Sequence, residues 1–396
     1  LMSTTKKILS ILIFASLIFE ISRFYSFVNN QSSWQYVDWL INYEGGLVRR
    51  GLIGHILFEL HNLLYIDLDI LVFFFVSLIY IFLSFCLFKS IKYIEKSKLN
   101  IIIFLSPAFF IYPIMNSGII GRKDVLFIFF VSFLVFYEKK LNIKLILATL
   151  LIGILTTTLS HSGFIFYAPY LILLYFLIKK SRNLKINFLE ISLILLTILF
   201  SLIFIQLFSG SEQIVENICF SVKEFVSKNC GKSDQILWLT KSLDDRFFEK
   251  INMGNNYMVN YFIIYLSSIF ISFSFISISL FNSKLNFNIS TNINFNPFYI
   301  LLIIFTLTLP VYVFGRDWGR YIYISYSSIF FIYVYCIKNN LLDFKKNNLI
   351  WLNNLSKFKF IILIVIYSFT WTFPFYDAKS FKIVLKKPIL SLINKI

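Results

Sequence analysis

Charged residues are scarce in this sequence, and the acidic ones are the scarcest. Asp, Glu, Lys and Arg make up 14% of the 396 residues, with 20 acidic against 37 basic side chains. A soluble protein of ordinary composition carries about 25% charged residues, so water is not the principal solvent of this chain. The four cysteines are too few for a disulfide-rich secreted scaffold.

Several familiar signatures are also missing. The sequence contains no P-loop, no Gly-rich dinucleotide fingerprint, no His-Glu-x-x-His and no Gly-x-Ser-x-Gly. These absences argue against ATP-driven or nicotinamide chemistry and against a serine hydrolase, so we expect no cofactor and no bound metal. A net charge of +17 would suit nucleic acid in a soluble domain. Here the Lys residues separate apolar blocks, which indicates membrane topology and anionic lipid instead.

Apolar residues are abundant: 58% of the chain is hydrophobic and the mean hydropathy is +0.77. They occur in blocks of about 20 residues, the length that crosses a bilayer core of about 30 Å. We therefore predict an all-α, polytopic integral membrane helical bundle of about eleven transmembrane helices, with residues 1–396 as a single transmembrane domain. The first block lacks a small-residue cleavage site and is interpreted as an uncleaved membrane helix. The predicted spans are 8–28, 70–88, 99–115, 124–137, 145–159, 164–178, 186–208, 257–281, 298–314, 321–337 and 359–374.

Lys-rich segments occur at every second loop, and the positive-inside rule places such segments in the cytoplasm. They contain Lys6 and Lys7; Lys89, Lys92, Lys96 and Lys98; Lys139, Lys140 and Lys144; Lys179, Lys180, Arg182 and Lys185; Lys338, Lys345, Lys346 and Lys357. The alternate loops then face the periplasm, and they are 29–69, 116–123, 160–163, 209–256 and 315–320. The C-terminal tail is also basic; it is either an amphipathic surface helix over 381–396 or, with a missed segment, cytoplasmic.

The loop over 209–256 is the large periplasmic loop and contains Cys219 and Cys230. A periplasmic location permits a disulfide between them, and two unpaired thiols are the alternative. The first periplasmic loop, 29–69, includes an amphipathic segment over 51–64. Its His55, Glu59 and His61 are expected to be surface residues rather than metal ligands.

The first periplasmic loop also has two carboxylates and two guanidinium groups in one short run, namely Asp38, Glu44, Arg49 and Arg50. Arginine binds phosphate or carboxylate with two parallel hydrogen bonds, and does so more strongly where water is excluded. Paired arginines run against the usual charge bias of a periplasmic loop, so we favour a functional role. The alternative is interfacial anchoring alongside neighbouring tryptophans.

Three further groups lie in predicted periplasmic loops. Arg122, Lys123 and Asp124 open the fourth span, where a helix N-terminus beside two cations suits an anion; helix capping by Asp124 is the alternative. His161 joins two spans through almost no loop and is either a base or orienting group or a structural histidine. The fragment 315–320 places Arg316, Asp317 and Arg320 in a six-residue turn, a charge density that favours function over mutual neutralisation.

Two acidic patterns carry less weight. Asp67 and Asp69 form a D-x-D before the second span that fits helix capping better than metal binding. Asp244, Asp245 and Arg246 in the large loop fit a solvated ion cluster.

Together these residues favour an anionic, phosphorylated substrate and a general base. Nucleotide sugars are not available outside the cell membrane, whereas lipid-linked sugars are. The chemistry that fits is glycosyl transfer from a polyprenyl-pyrophosphate donor. Arg and Lys would stabilise the departing pyrophosphate, and a carboxylate, aided by His161, would accept the proton of the attacking hydroxyl.

In size, span number, large late periplasmic loop and Arg-bearing loops, the chain resembles Wzy-type O-antigen and capsule polymerases and the wider GT-C class of lipid-dependent membrane glycosyltransferases. The motifs that carry the resemblance are Glu44-Gly45-Gly46-Leu47-Val48-Arg49-Arg50-Gly51, Gly121-Arg122-Lys123-Asp124 and Gly315-Arg316-Asp317-Trp318-Gly319-Arg320. The resemblance implies a bacterial inner-membrane enzyme of polysaccharide and lipopolysaccharide biosynthesis. It would polymerise undecaprenyl-pyrophosphate-linked oligosaccharide repeats at the periplasmic face, with membrane lipid and a chain-length regulator protein as partners.

The first periplasmic loop is shorter than in those polymerases, which leaves two alternatives open. One is a GT-C transferase that uses a polyprenyl-phosphate sugar to modify a glycan, with Asp38 and Glu44 as its carboxylate pair. The other is a lipid-linked oligosaccharide transporter or flippase. A transporter would place charged residues near the bilayer midplane and often has inverted repeats; here no repeat is found and the charges gather at one interface.

Overall fold

A computed structural model describes residues 2–31, 33–226, 230–231, 235–241, 255–285, 296–344, 350–376 and 382–383. The ion cluster at 244–246 and nearly all of the C-terminal segment 381–396 lie outside these residues. The described chain is mostly helical and divides into two compact units. Unit I comprises Phe14–Cys86 and Ile119–Glu249, and unit II comprises Leu1–Ile13, Leu87–Gly118 and Lys250–Ile396.

Eleven helices are described in the first half of the chain. In chain order they are α1 (Met2–Asn29), α2 (Trp34–Val37), α3 (Leu52–Leu64), α4 (Leu68–Ile94), α5 (Lys98–Phe104), α6 (Tyr112–Met115), α7 (Asp124–Tyr137), α8 (Ile143–Ser160), α9 (Ala168–Ser181), α10 (Phe188–Leu207) and α11 (Glu212–Ser221). Short 3-10 turns at Asp38–Leu40 and Ser162–Tyr167 precede the first loop motif and α9.

The second half adds six helices and four short strands within the described residues. The helices are α12 (Asn255–Phe281), α13 (Pro297–Leu307), α14 (Leu309–Phe314), α15 (Trp318–Lys338), α16 (Ile350–Asn354) and α17 (Lys357–Ile364), the last continuing as a π-helix over Val365–Phe369. Strand β1 (Ser283–Leu285) pairs antiparallel with β2 (Leu342–Phe344), and β3 (Trp371–Thr372) pairs with β4 (Lys382–Ile383).

Eight helical segments of the described chain are long and apolar enough to cross a membrane, so the chain is a multi-pass membrane protein. They are Thr4–Asn29, Leu68–Ile94, Ile143–Ser160, Ser162–Ser181, Phe188–Leu207, Val259–Phe281, Pro297–Phe314 and Trp318–Lys338. Each coincides with a predicted span. The spans predicted at 99–115, 124–137 and 359–374 coincide with shorter helices, so a total of eleven stays a prediction.

Hydrogen-bonding side chains fix several helix starts. Asn142 accepts from the backbone N–H of Leu145 at the start of α8, and Ser211 accepts from Ile214 at the start of α11. Asn187 and Glu190 form a capping box at α10. These bonds satisfy backbone donors that a helix leaves unpaired at its first turn.

Within unit I, α8 packs against α3, α7, α9 and α10. The loops on the Lys-rich side are tied by ion pairs, with Lys179 Nζ 2.6 Å from Glu190 and Arg182 3.0 Å from Glu138. Some of the basic residues that set the predicted topology therefore also connect neighbouring helices.

Within unit II, α15 is the central helix. In the most apolar, membrane-length part of α15, 83% of the residues are buried, against 11% for the same part of α10 in unit I. The interior position explains why α15 has the lowest hydropathy of the eight segments and carries the buried hydroxyls of Ser325, Ser327 and Ser328. A helix surrounded by protein needs less apolar surface than one that faces lipid.

Candidate functional site

The first loop of unit I enters the protein interior at the 3-10 turn Asp38–Leu40. All three residues of that turn are buried, and the indole N–H of Trp39 donates a 2.6 Å hydrogen bond to the carbonyl of Gly121. This bond joins the first motif to the second across 82 residues of chain. The first two sequence motifs are therefore in contact.

Lys123 reaches the same place from the N-terminus of α7. Its side chain has no exposed surface; Nζ lies 3.8 Å from Asp38 Oδ1 and donates a 3.1 Å hydrogen bond to the carbonyl of Arg50. Nζ also lies 5.9 Å from the centre of the Trp39 ring. Burial lowers the pKa of Lys123 to about 8, opposed by the Asp38 carboxylate and assisted by Arg50.

Gly121 lets the second motif fit beside Trp39. Its φ of +78° lies in the left-handed region, and a Cβ there would come within 2.2 Å of the Phe24 ring. Its backbone N–H donates a 2.7 Å hydrogen bond to the Tyr80 hydroxyl. Both peptide groups that flank Gly121, two residues before Lys123, are thus fixed.

Arg49 is buried, with 2% of its surface exposed, and its guanidinium is directed at backbone oxygens. It donates to the carbonyls of Trp238, Leu239 and Lys241 at 3.2, 3.3 and 2.6 Å. Burial lowers the pKa of Arg49 to about 10, and the neighbouring Arg50 charge contributes. The guanidinium therefore clamps the segment after α11, and a role for Arg49 in binding pyrophosphate or glycan stays a prediction.

Arg50, Arg122 and Asp124 are also buried, at 7%, 5% and 1% exposure. Arg50 donates to the side-chain oxygen of Gln235 at 3.5 Å. Asp124 lies in the first turn of α7, where a negative charge is favoured by the helix dipole. The paired arginines therefore lie inside the protein and are not interfacial anchors.

The described residues of the large loop pack against this part of unit I. Cys219 and Cys230 form a disulfide with their Cα atoms 5.7 Å apart, which confirms the bridged alternative. Asn42 donates a 3.0 Å hydrogen bond to the Ser221 hydroxyl, and the rings of Trp34 and Trp238 meet edge to face at 6.4 Å. The first loop and the large loop are thus joined by polar, aromatic and guanidinium contacts.

Several residues that contact the arginines and the first loop do not belong to any recognisable sequence motif. Gln235 and Asn42 are single polar residues without a pattern, and the main ligands of Arg49 are backbone carbonyls, which any sequence supplies. The one available signal is the run of paired arginines, because buried guanidinium groups require acceptors.

Glu44 is exposed at the tip of the first loop. The turn is shaped by the backbone N–H of Glu44, which donates to Asn42 Oδ1 at 3.0 Å, and by Gly46, whose φ is +123°. A Cβ on Gly45 would come within 2.5 Å of the Ile214 carbonyl oxygen. Close packing against α11 therefore requires glycine at 45 and holds Glu44 in place.

His161 is buried and ends α8. Its Nδ1 accepts a 3.3 Å hydrogen bond from the backbone N–H of Gly163, capping the 3-10 turn Ser162–Tyr167, and its ring packs 4.9 Å from Phe164. The contacts support the structural alternative raised from the sequence. A role for His161 in proton transfer stays a prediction.

The Gly315–Arg320 motif belongs to unit II. Arg316 is exposed, while Arg320 is buried and lies 2.7 Å from Asp317 Oδ2. Trp318 donates its indole N–H to the Tyr312 carbonyl at 2.7 Å. Tyr261 donates its hydroxyl to the Arg316 carbonyl. The turn is rigidly held, with one cation and one carboxylate accessible to solvent.

The D-x-D pattern has a simpler role. Asp69 accepts hydrogen bonds from the Tyr36 hydroxyl and from Gln31. It therefore anchors α2 to the start of α4.

Seven of the ten predicted site residues fall into two groups. Asp38, Arg49, Arg50 and Lys123 form one contiguous buried cluster in unit I, hereafter the first-loop cluster. Arg316, Asp317 and Arg320 form a second cluster in unit II. Comparisons with protein-family models, with curated proteins and with solved structures find no match.

Proposed function

We propose that this protein is an inner-membrane glycosyltransferase that polymerises undecaprenyl-pyrophosphate-linked oligosaccharide repeats at the periplasmic face. The observation that carries the proposal is the first-loop cluster: three cations and one carboxylate, at most 7% exposed, beneath a disulfide-tied segment. Buried cations that are already fixed by the fold stabilise developing negative charge without reorganisation.

The disulfide supports the proposed orientation. Stable disulfides form in oxidising compartments such as the bacterial periplasm and are rare in the cytosol. Cys219 and Cys230 lie in the loop that the positive-inside rule also places outside. Two independent observations therefore favour a periplasmic first-loop cluster.

In the proposed reaction, a hydroxyl of the acceptor repeat attacks the anomeric carbon of the donor glycan. The bond between that carbon and the pyrophosphate oxygen breaks, and undecaprenyl pyrophosphate leaves with the bonding electrons. The hydroxyl proton passes to a carboxylate. Among the predicted carboxylates, Glu44 and Asp317 keep solvent-exposed surface, whereas Asp38 is 2% exposed and faces Lys123.

The cations then divide by accessibility. Arg316 is exposed and suits direct contact with a phosphate or glycan, and Arg320 orients Asp317 through their 2.7 Å ion pair. Arg50, Arg122 and Lys123 supply positive charge from buried positions. Arg49 is a positioning residue, because its hydrogen bonds hold the segment that covers the cluster.

A glycan ladder tests the proposal. The gene would be deleted in its host and the strain complemented with the wild type or with Glu44→Gln, Asp317→Asn or Arg316→Ala, at equal protein levels in the membrane. We expect the deletion to retain a single lipid-linked repeat unit, and the three variants to lose most of the ladder. Glu95→Gln, an acidic residue of a Lys-rich loop, is the matched control and should restore the full ladder.

Each alternative gives a different pattern. Full-length polymer with an altered composition in the deletion strain would identify a modifying transferase. Lipid-linked repeats trapped on the cytoplasmic side would identify a transporter. Full ladders in all three variants would contradict the assignment of these residues.

A further inference from the structure

Three ligand-bearing side chains outside the first-loop cluster meet at the start of α3. They are Glu44 from the loop tip and His55 and Glu59 from the helix, and their ligand atoms all lie within 4.8 Å of one another. The sequence separates Glu44 from the other two by 11 and 15 residues, and it predicted no metal site here. The structure brings the three together.

The helix fixes two of the three donors. His55 and Glu59 are four residues apart on α3 and therefore project from the same face, with His55 Nδ1 3.9 Å from Glu59 Oε1. The Tyr43 ring packs 5.1 Å from the imidazole and limits its orientation.

The loop fixes the third donor. Glu44 is held by the bond from its backbone N–H to Asn42 and by the tight approach of Gly45 to the Ile214 carbonyl. A ligand set drawn from a helix and a rigid turn pays less ordering entropy on binding than one from mobile side chains.

The separations match those of a metal site before it closes on an ion. Zinc binds histidine nitrogen and carboxylate oxygen at about 2.0–2.2 Å in tetrahedral geometry, which puts ligand atoms about 3.4 Å apart. A rotation of the exposed Glu44 and Glu59 side chains brings a 4.8 Å set to that spacing. Exposed carboxylates also leave further coordination positions open to water or substrate.

A plain His–Glu helix pair explains the contact less well. The 3.9 Å separation exceeds hydrogen-bond length, and His55 Nδ1 is shielded from solvent without a hydrogen-bond partner in the described part of the chain. A shielded ring nitrogen near one carboxylate, in a cluster that contains a second, suits coordination of a cation.

We propose that Glu44, His55 and Glu59 bind one divalent transition-metal ion. One imidazole and two carboxylates suit Zn²⁺, Co²⁺ or Mn²⁺ better than Ca²⁺ or Mg²⁺, which prefer oxygen-only sites. The ion pins the tip of the first periplasmic loop to α3. The site shares Glu44 with the proposed function but goes beyond it, since metal binding needs neither donor nor acceptor glycan and is measured without them.

The test uses the purified full-length protein in detergent, with an affinity tag that contains no histidine. Equilibrium dialysis against Zn²⁺ and the visible absorption of Co²⁺ report stoichiometry and ligand environment. We expect one equivalent bound by the wild type and an affinity lower by about tenfold or more in His55→Ala and Glu59→Gln. Metal should raise the unfolding temperature of the wild type and do so less in those two variants.

The matched control is His61→Ala. His61 lies on the same helix, but its Nδ1 is 2.7 Å from the Ile66 carbonyl, so we expect it to leave binding unchanged. A wild type that binds no equivalent of either metal overturns the proposal. Equal loss in His61→Ala does so too, because it would indicate adventitious surface binding. Size-exclusion profiles of the variants separate loss of a ligand from loss of fold.

Discussion

Lys123 places a full ammonium group where the side chain has no exposed surface. Only two oxygen partners, from Asp38 and from the Arg50 carbonyl, are identified for it among the described residues. Because desolvation penalises the charged form, the fold holds this lysine at a cost that a purely structural residue would not need. Buried, perturbed titratable groups are concentrated at functional sites.

The lowered pKa of Lys123 predicts a pH dependence of stability. Between about pH 8 and pH 10.5 the unfolded chain binds a proton at Lys123 that the folded protein has released. The free energy of unfolding therefore increases with pH across this range. The contribution that Lys123 makes to it is lowest at pH values below the range. We expect the unfolding temperature of the wild type, relative to that of Lys123→Met, to rise by several degrees from about pH 8 to about pH 10.

Thermal unfolding in detergent, followed by intrinsic fluorescence, measures this difference. The Met variant also controls for the other lysines, which titrate in both proteins. Parallel curves for the two proteins would show that Lys123 keeps its ordinary protonation.

Arg49 is predicted to be a clamp whose loss opens the segment over 235–241. Arg49→Ala leaves three carbonyls without their charged donor, and each such loss costs about 1–3 kcal/mol if water does not enter. We expect faster hydrogen exchange and proteolysis in this segment, with Arg49→Lys intermediate because an ammonium cannot reproduce the planar fork. Leu47→Ala, at an exposed position, should exchange like the wild type.

Residue types and spacing identified the cationic positions but not what they contact. Arg49, Arg50 and Lys123 stand out because paired cations are unusual beside apolar blocks. Their partners include carbonyls up to 192 residues away in sequence, and carbonyls carry no sequence signature. Spacing along the chain could not separate a phosphate-binding guanidinium from one that supports a loop.

At the scale of the element, apolar runs predicted helices well wherever proline is absent. The run 99–115 is apolar enough to cross a membrane, yet it divides into α5 and α6. Pro107 and Pro113 explain the division, since proline lacks an N–H and disfavours helix in the preceding residue. Pro310 similarly separates α13 from α14. Mean hydropathy depends on composition alone and does not detect where a proline interrupts a helix.

The disulfide is the element-scale feature with the clearest expected effect. It closes a loop between Cys219 and Cys230, which are 11 residues apart, and a loop of this size is stabilised by about 3 kcal/mol in the chain-entropy account. Reduction, or Cys219→Ser with Cys230→Ser, should raise hydrogen exchange in α11 and lower the unfolding temperature. Cys86→Ser, which removes a buried thiol outside the disulfide, is the control. Unchanged exchange in α11 would show that this helix does not depend on the disulfide for its stability.

At the scale of the whole molecule, the proposed topology predicts which positions an impermeant maleimide reaches in intact cells. Leu47→Cys and Arg316→Cys occupy exposed positions in loops assigned to the periplasm, and Lys96→Cys and Lys185→Cys occupy exposed positions in Lys-rich loops. The first pair should react in intact spheroplasts and the second pair only after permeabilisation. Protection of either member of the first pair contradicts a shared periplasmic face.

The membrane character of the chain and eight of its spans were predictable, because length and hydropathy alone decide them. The short strands and the division into two units were not, since both depend on pairing between distant segments. The proximity of Glu44 to His55 and Glu59 could not be predicted from the sequence either. It requires the turn at Gly45 and Gly46, which is set by packing against Ile214.

The hydrogen bonds that Arg49 donates also set an order of events during synthesis. Its carbonyl partners follow it by 189 to 192 residues, so a ribosome working at about 5–20 residues per second needs on the order of 10–40 s to supply them. During that interval the guanidinium groups of Arg49 and Arg50 lack their acceptors at Gln235 and in residues 238–241. The contacts of Arg49 can therefore form only after a segment near the middle of the chain has been synthesised.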